Sequence, residues 1–194
     1  MTKKQQSKTV IIFQGSPRKK GNTAVVTQWL EEALESQGWK IKTYPLYNMK
    51  FRGCSHCDAC KKVHDKPGCI LKDDLETALN TIPKADILII ASPVYCWSVS
   101  GCASAFMDRL YSFIKPEGSL LANKKMIGLF TAGGDAFDGI DLCVEMLKRF
   151  CEYTKVTYVD TIAAANCTTP RELLKNKTLK RSIIQLTKRL SVSM

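Results

Sequence analysis

The sequence predicts a doubly wound α/β fold with five parallel strands, and three observations carry the prediction. Short apolar runs alternate with amphipathic stretches along the whole chain. The central runs, Ile87-Leu88-Ile89-Ile90-Ala91 and Met126-Ile127-Gly128-Leu129-Phe130, carry no polar residue, as strands covered on both faces require. The first run, Val10-Ile11-Ile12-Phe13, passes directly into a polar loop that opens a helix. Parallel crossovers place helices on both faces of such a sheet.

The elements follow in order. After the loop Gln14–Thr23, Val26, Trp29, Leu30, Ala33 and Leu34 repeat at helical spacing, and Gly38 is a plausible stop. Trp39–Tyr44 alternates like an edge strand. A cysteine-rich insertion, Phe51 to Cys69, precedes a helix carrying Leu75, Ala78, Leu79 and Ile82. The central strand Ile87–Ala91 ends in a loop, Ser92–Ser100, and a helix follows over Phe106, Leu110 and Phe113. The fourth strand, Met126–Phe130, leads through the loop Thr131–Gly139 to a helix from about Ile140 to Tyr153, and Val156–Ile162 is the fifth strand. For the last helix Thr169 is the cap, Pro170 takes the first position and Glu172 completes a capping box. Its apolar face is Leu173, Leu174, Leu179, Ile183, Ile184, Leu186 and Leu190. No linker or repeat divides the chain, so residues 1–194 read as one domain with an insertion at about 51–70.

Composition narrows the partners. The formal charge of +11 raises the possibility of a nucleic-acid-binding module. The basic residues are dispersed, however, with local density only at Lys3, Lys4 and Lys8 and in the last helix, and no recognition motif is present. A solvated basic surface is the better reading, and it could attract an anionic pyridine nucleotide. The polar start Met1–Gln6 has no apolar signal region behind it and no run is long enough to span a bilayer, so a cytoplasmic protein is expected. There the nine cysteines would be thiols, ligands or core residues rather than disulfides.

The loop after the first strand has the character of a phosphate cradle. A strand feeding a helix start gathers free N–H groups and the positive helix end in one place. Ser16, Asn22 and Thr23 add side-chain donors beside Gly21, and Arg18 adds a guanidinium that grips phosphate oxygens in pairs. A triphosphate loop would read G-x-x-x-x-G-K-[ST]. Here five residues separate Gly15 from Gly21, and Asn22 stands at the lysine position. Ser16-Pro17 excludes the dinucleotide pattern. A single phosphomonoester fits, which makes flavin mononucleotide (FMN) the leading ligand.

Two further loops lie beyond C-terminal strand ends, where ligands of such sheets bind. Pro93-Val94-Tyr95-Cys96-Trp97 sets aromatics beside a rigid proline, suited to covering a flat ring, although Tyr95 and Trp97 could equally pack on a neighbouring helix. Thr131-Ala132-Gly133-Gly134 lets backbone approach a ring edge.

With these residues in view, the chain resembles the flavodoxin-like NADPH-dependent FMN reductases, and most of all their iron–sulfur flavoprotein branch. The resemblance rests on Gly15-Ser16-Pro17-Arg18 with Gly21-Asn22-Thr23, on Gly53-Cys54, on Cys69-Ile70-Leu71-Lys72-Asp73-Asp74, on Ser92-Pro93-Val94-Tyr95 and on Phe106-Met107-Asp108-Arg109. It implies that Ser16, Arg18, Asn22 and Thr23 hold the FMN phosphate. By the same resemblance Pro93, Val94, Tyr95 and Trp97 line the ring, and Thr131 to Gly134 cover its other edge. It further implies a homodimer or homotetramer with the flavin near a subunit interface. The chain departs from the family in placing Cys96 between Tyr95 and Trp97 and Ser104 where many relatives have lysine.

Cys54-x2-Cys57-x2-Cys60, with Cys69 after a further eight residues, is ferredoxin-like spacing that can converge on one [4Fe–4S] cluster. Zinc, with His56 or His64 as a ligand, and a metal-free loop are the competing readings. Cys102, Cys143, Cys151 and Cys167 read as small core residues, while Cys96 should sit near the flavin. The function expected is an FMN-dependent oxidoreductase passing electrons from NAD(P)H or a ferredoxin to an acceptor. The flavin carries that chemistry, so no side chain is assigned a catalytic role. The other reading is a non-catalytic electron carrier in which a cluster relays electrons to FMN.

Overall fold

A computed structural model describes residues 8–192, so the polar start Met1–Gln6, with Lys3 and Lys4, lies outside the described residues. Five strands pair in parallel in the order β2-β1-β3-β7-β8: β1 is Thr9–Gln14, β2 Lys40–Pro45, β3 Ile87–Tyr95, β7 Lys125–Thr131 and β8 Thr157–Ala164. A short β4, Ser98–Val99, pairs antiparallel with the end of β3, and β5 (Ile114–Lys115) with β6 (Gly118–Ser119) forms a separate hairpin.

Strand alternation divides the core into two faces. Ile11, Phe13, Leu88, Ile90, Met126 and Phe130 pack under α2 (Leu75–Thr81), α3 (Gly101–Arg109) and α4 (Ile140–Thr154). Val10, Ile12, Ile87, Ile89, Ile127 and Leu129 pack under α1 (Asn22–Glu35) and α6 (Lys177–Val192). The sheet is therefore doubly wound with the five-strand order expected. The order in which the chain winds across the sheet reverses between the parallel neighbours β1 and β3, and the crevice beyond their C-terminal ends is where this strand order binds ligands.

Three elements differ from the sequence expectation. The segment Ser92–Ser100 is not a loop: β3 runs on to Tyr95 and turns back into β4 through Cys96 and Trp97, whose φ values are 49° and 58°. Both central residues in the left-handed region make the turn that matches the twist of a two-residue hairpin, and neither is the glycine or asparagine that usually supplies it. The fifth strand starts at Thr157, runs to Ala164, and carries a bulge where Ile127 pairs with Asp160 after Met126 has paired with Tyr158. The last helix is two. Thr169 and Glu172 form the expected capping box, but only on α5 (Pro170–Leu173). The chain then breaks, and the Asn176 side chain accepts the Leu179 N–H at 2.9 Å to restart α6. Leu174 and Ile184, assigned to the apolar face, are exposed. No helix among the described residues is long and apolar enough to cross a membrane.

Candidate functional site

The first turn of α1 closes the loop Gln14–Thr23. Gly21 is its cap residue, with no side-chain cap bond and no acidic residue in the turn, and the first helical bond runs from Val25 N–H to the Gly21 carbonyl at 3.1 Å. The N–H groups of residues 22–24 therefore precede any helical acceptor and face the loop end with the positive pole of the helix. Upstream the loop is tied down tightly. Gly15 N–H donates to the Ala91 carbonyl at 2.7 Å, and the Ser100 hydroxyl donates to the Gly15 carbonyl at 2.7 Å. A Cβ on Gly15 would lie 2.7 Å from Ser100 Oγ and 2.8 Å from Ala103 Cβ, so only glycine lets the loop seat against α3. Ser92 Oγ accepts the Ser100 N–H at 2.9 Å, which locks the base of the β3–β4 hairpin to the same network.

Thr23 and Thr131, both buried, share a hydroxyl hydrogen bond of 2.8 Å that joins the start of α1 to the end of β7. Three loops consequently close on one cleft of about 170 Å³. Ser16, Arg18, Gly21, Asn22 and Thr23 line it from the first, Pro93, Val94 and Tyr95 from the hairpin, and Thr131, Ala132 and Gly133 from the third. Cys167 and Thr168, which the sequence reading left out of the site, complete it. They follow β8, and the rule that selects C-terminal strand ends could have found them. The Cys167 carbonyl accepts from Asn22 Nδ2 at 2.5 Å, while Asn22 Oδ1 is buried with no partner among the described residues. A buried acceptor without a donor is costly, and a ligand hydroxyl would satisfy it.

Cys96, Trp97 and Gly134 do not line this cleft. Trp97 borders a neighbouring hollow with Leu142, Cys143 and Met146, and the residue is 62 % exposed. The tight turn is the reason: alternate residues of a hairpin face opposite sides, and residues at its tip project away from both. Cys96 is exposed at that tip, and the Gly134 carbonyl is engaged by Asn166 N–H at 2.6 Å. Burial pushes the Cys143 and Cys151 thiols up to about 11, consistent with inert core residues. Cys102 is half-buried, and its thiol lies 3.3 Å from the Gly15 carbonyl.

The insertion builds a second feature. Cys54, Cys57, Cys60 and Cys69 all border one pocket, walled by Arg109 and Tyr111. Arg109, 1 % exposed, donates Nη1 to Asp73 Oδ2 at 2.6 Å and to the Arg52 carbonyl at 2.9 Å, with Nη2 on Asp73 Oδ1 at 3.2 Å. Lys115, from the β5–β6 hairpin, donates to the Cys60 and Pro67 carbonyls at 2.8 and 3.1 Å. Lys61 donates to the Tyr111 carbonyl and lies 3.4 Å from the centre of its ring. Burial raises the Cys60 thiol, against the pull of Lys61 and Lys115. His56 stacks on Tyr111 of the pocket wall, and His64 pairs with Glu117 at 2.8 Å. The space between the thiols is about 10 Å³, and among the described residues no three Cys, His, Asp or Glu side chains are placed to hold a metal ion.

The fold and the cleft at its switch point define a flavodoxin-like flavoprotein. Comparison then places it: residues 8–169 match the NADPH-dependent FMN reductase family, and the chain belongs to that family, in its iron–sulfur flavoprotein branch. An iron–sulfur flavoprotein of Archaeoglobus fulgidus is 30 % identical over 142 residues, 73 % of this chain and 70 % of that protein. Iron-sulfur flavoprotein MJ0731 of Methanocaldococcus jannaschii is 32 % identical over 137 residues, covering 70 % of this chain and 67 % of its own. Among solved structures, an apo NADH:FMN oxidoreductase (EMOB) superposes with a TM-score of 0.70 at 18 % identity, over 97 % of this chain and 90 % of that one. A NAD(P)H:quinone oxidoreductase from Methanothermobacter marburgensis gives 0.66 at 18 % identity, over 95 % and 96 %. These two likenesses speak for the fold.

Proposed function

We propose that the chain is an FMN-dependent oxidoreductase that takes electrons from NAD(P)H, or from a ferredoxin, and passes them to a second acceptor. The observation that carries this reading is the convergence of three loops on one cleft at the β1/β3 switch point, with the open first turn of α1 at one end. The donor set fits FMN: N–H groups of residues 22–24, the Ser16 hydroxyl and Arg18 suit a phosphate dianion. The orphaned Asn22 Oδ1 suits a hydroxyl of a sugar-alcohol chain, and Tyr95 with Val94 suits an apolar ring. Bound FMN would supply hydride and single-electron transfer. The chain's own part is to bind the phosphate, orient the ring through Pro93–Tyr95, and bring backbone of Thr131–Gly133 to its polar edge. No side chain in the cleft is asked to move a proton.

A second reading is favoured by one observation, that all four insertion cysteines border a single pocket with buried cations around it. Four cysteines are the donor set of a thiolate-bound [4Fe–4S] cluster. The segment Cys54–Cys57, irregular and partly exposed, would have to part to admit it. On this reading the protein is an electron carrier. Exposed Trp97, Phe137 and Leu142 beside the cleft suit burial in a homodimer or homotetramer. The deciding experiment is an absorption spectrum and an iron and sulfide assay on anaerobically purified protein, followed by titration with NADH and NADPH. Flavin bands bleached by pyridine nucleotide support the oxidoreductase. Iron with flavin that pyridine nucleotide leaves oxidised supports the carrier, and colourless protein that binds no FMN overturns both.

A further inference from the structure

Serine at a helix N-cap ordinarily accepts an N–H of its own first turn. Ser100, the N-cap residue of α3, makes no such bond. Its buried hydroxyl donates instead to the Gly15 carbonyl at 2.7 Å, across 85 positions of chain. The half-buried Cys102 thiol reaches the same oxygen at 3.3 Å. Two donors from the start of α3 therefore take both lone pairs of one loop carbonyl. Neither Ser100 nor Cys102 is among the described residues that line the cleft. The other end of that peptide unit is the Ser16 N–H. It has no acceptor among the described residues, although Ser16 is buried and lines the cleft. In a trans peptide the C=O and N–H point in opposite directions, and no peptide bond among the described residues is cis. A carbonyl tied to α3 thus leaves its N–H turned the other way. A buried N–H without an acceptor is costly until a ligand supplies one.

We infer that Ser100, with Cys102 beside it, is a positioning residue that sets the polarity of one end of the cleft. It holds the Gly15 carbonyl out of the cleft, so that the Ser16 N–H faces a bound phosphomonoester. The inference rests on the FMN reading above and deepens it, by making selection for the phosphate depend on a side chain outside the cleft. A carbonyl oxygen turned toward a dianion repels it and an N–H attracts it, so rotating one peptide exchanges an attractive dipole for a repulsive one. Gly15 has no Cβ to restrict that rotation, and the loop by itself does not hold the orientation. The Gly15 N–H bond to the Ala91 carbonyl fixes the strand side of the residue and leaves its C-terminal peptide to Ser100. The residues suited to the ring, Pro93–Tyr95 and Thr131–Gly133, come from two other loops. Losing the Ser100 hydroxyl therefore acts on the phosphate and spares the ring.

The test compares FMN with riboflavin, which lacks the phosphate, by fluorescence titration of the flavin-free full-length protein. Ser100→Ala removes the hydroxyl and keeps the Ser100 N–H bond to Ser92 Oγ that anchors the hairpin. The Ser92 hydroxyl keeps its own acceptor, the Pro93 carbonyl at 2.8 Å. FMN affinity should fall about tenfold, the change that one hydrogen bond of ordinary strength carries, while riboflavin affinity stays within about twofold. Ser100→Cys keeps the shape with a weaker donor, and its FMN affinity should fall between those of the wild type and Ser100→Ala. Adding Cys102→Ala to Ser100→Ala removes the second donor and should lower FMN affinity further. Equal loss for the two ligands means a loosened cleft and overturns the inference, as does an unchanged FMN affinity in Ser100→Ala. Where Ser100→Ala does not fold, Ser100→Cys decides the matter by the same split. A wild type that binds riboflavin as tightly as FMN removes the phosphate assignment and this inference together. A wild type that prefers FMN, with Ser100 variants that keep the preference, removes this inference alone.

Discussion

Arg18 is the charged side chain that this loop contributes to the cleft lining, beside the neutral Ser16, Asn22 and Thr23, and it is exposed at the cleft mouth. Arg18→Ala should therefore weaken FMN binding by about 1.5 kcal/mol, the low end for a hydrogen bond to a charged group. Fluorescence titration with FMN and with riboflavin checks this, because riboflavin has no phosphate and its affinity should not change. Thr131→Val tests the opposite kind of contact. It leaves the buried Thr23 hydroxyl without its partner at 2.8 Å, and stability should fall by about 1–3 kcal/mol in denaturant melts. Trp97 lies at the tip of the β3–β4 hairpin, where it borders the hollow of Leu142, Cys143 and Met146.

At the scale of elements, the β3–β4 hairpin and the start of α4 are fitted to each other at Gly139. Its φ is +101°, and a Cβ there would lie 2.7 Å from Trp97 Cα and 2.8 Å from Val94 Cγ1. Gly139→Ala adds backbone strain of about 1–3 kcal/mol and pushes Val94, a wall of the cleft, out of place. Loss of thermal stability together with weaker binding of riboflavin is the expected result, since the ring and not the phosphate is affected. The capping box has a purely structural counterpart. Thr169→Ala should cost about 1 kcal/mol of stability. FMN affinity should change little, although Thr168 next to it lines the cleft.

Across the whole molecule the pH dependence has a predictable alkaline limb. Burial moves Cys143 and Cys151 from an ordinary 9.0 to about 11. A group whose folded pKa is raised contributes stability that is complete below its unfolded value and disappears as pH climbs through the folded one. Denaturant midpoints should hold below pH 9 and fall between 9 and about 11, and Cys143→Ala with Cys151→Ala should flatten that fall. The charge of +11 is spread over exposed lysines and arginines, Lys177, Lys180, Arg181 and Lys188 of α6 among them, which suits a solvated surface.

The fold was legible because buried parallel strands must be apolar at successive positions, and Val10–Phe13, Ile87–Ala91 and Met126–Phe130 say so without any partner in view. The loop that opens α1 was legible for a local reason too: Gly15, Gly21 and the helix start after them are neighbours in the chain. The hairpin at Cys96-Trp97 was not, because both residues usually avoid left-handed backbone and only contact with Gly139 and the Ser92–Ser100 network holds them there. The break at Leu174–Asn176 escaped because an apolar rhythm continues through it while the chain does not. Cysteine spacing pointed to one site, but Lys115, separated from Cys60 by 55 positions, came to that pocket only through folding. Sequence fixes what adjacent residues can do. Charge that arrives from a distant hairpin is decided by packing, since electrostatic environment depends on distance in space and not along the chain.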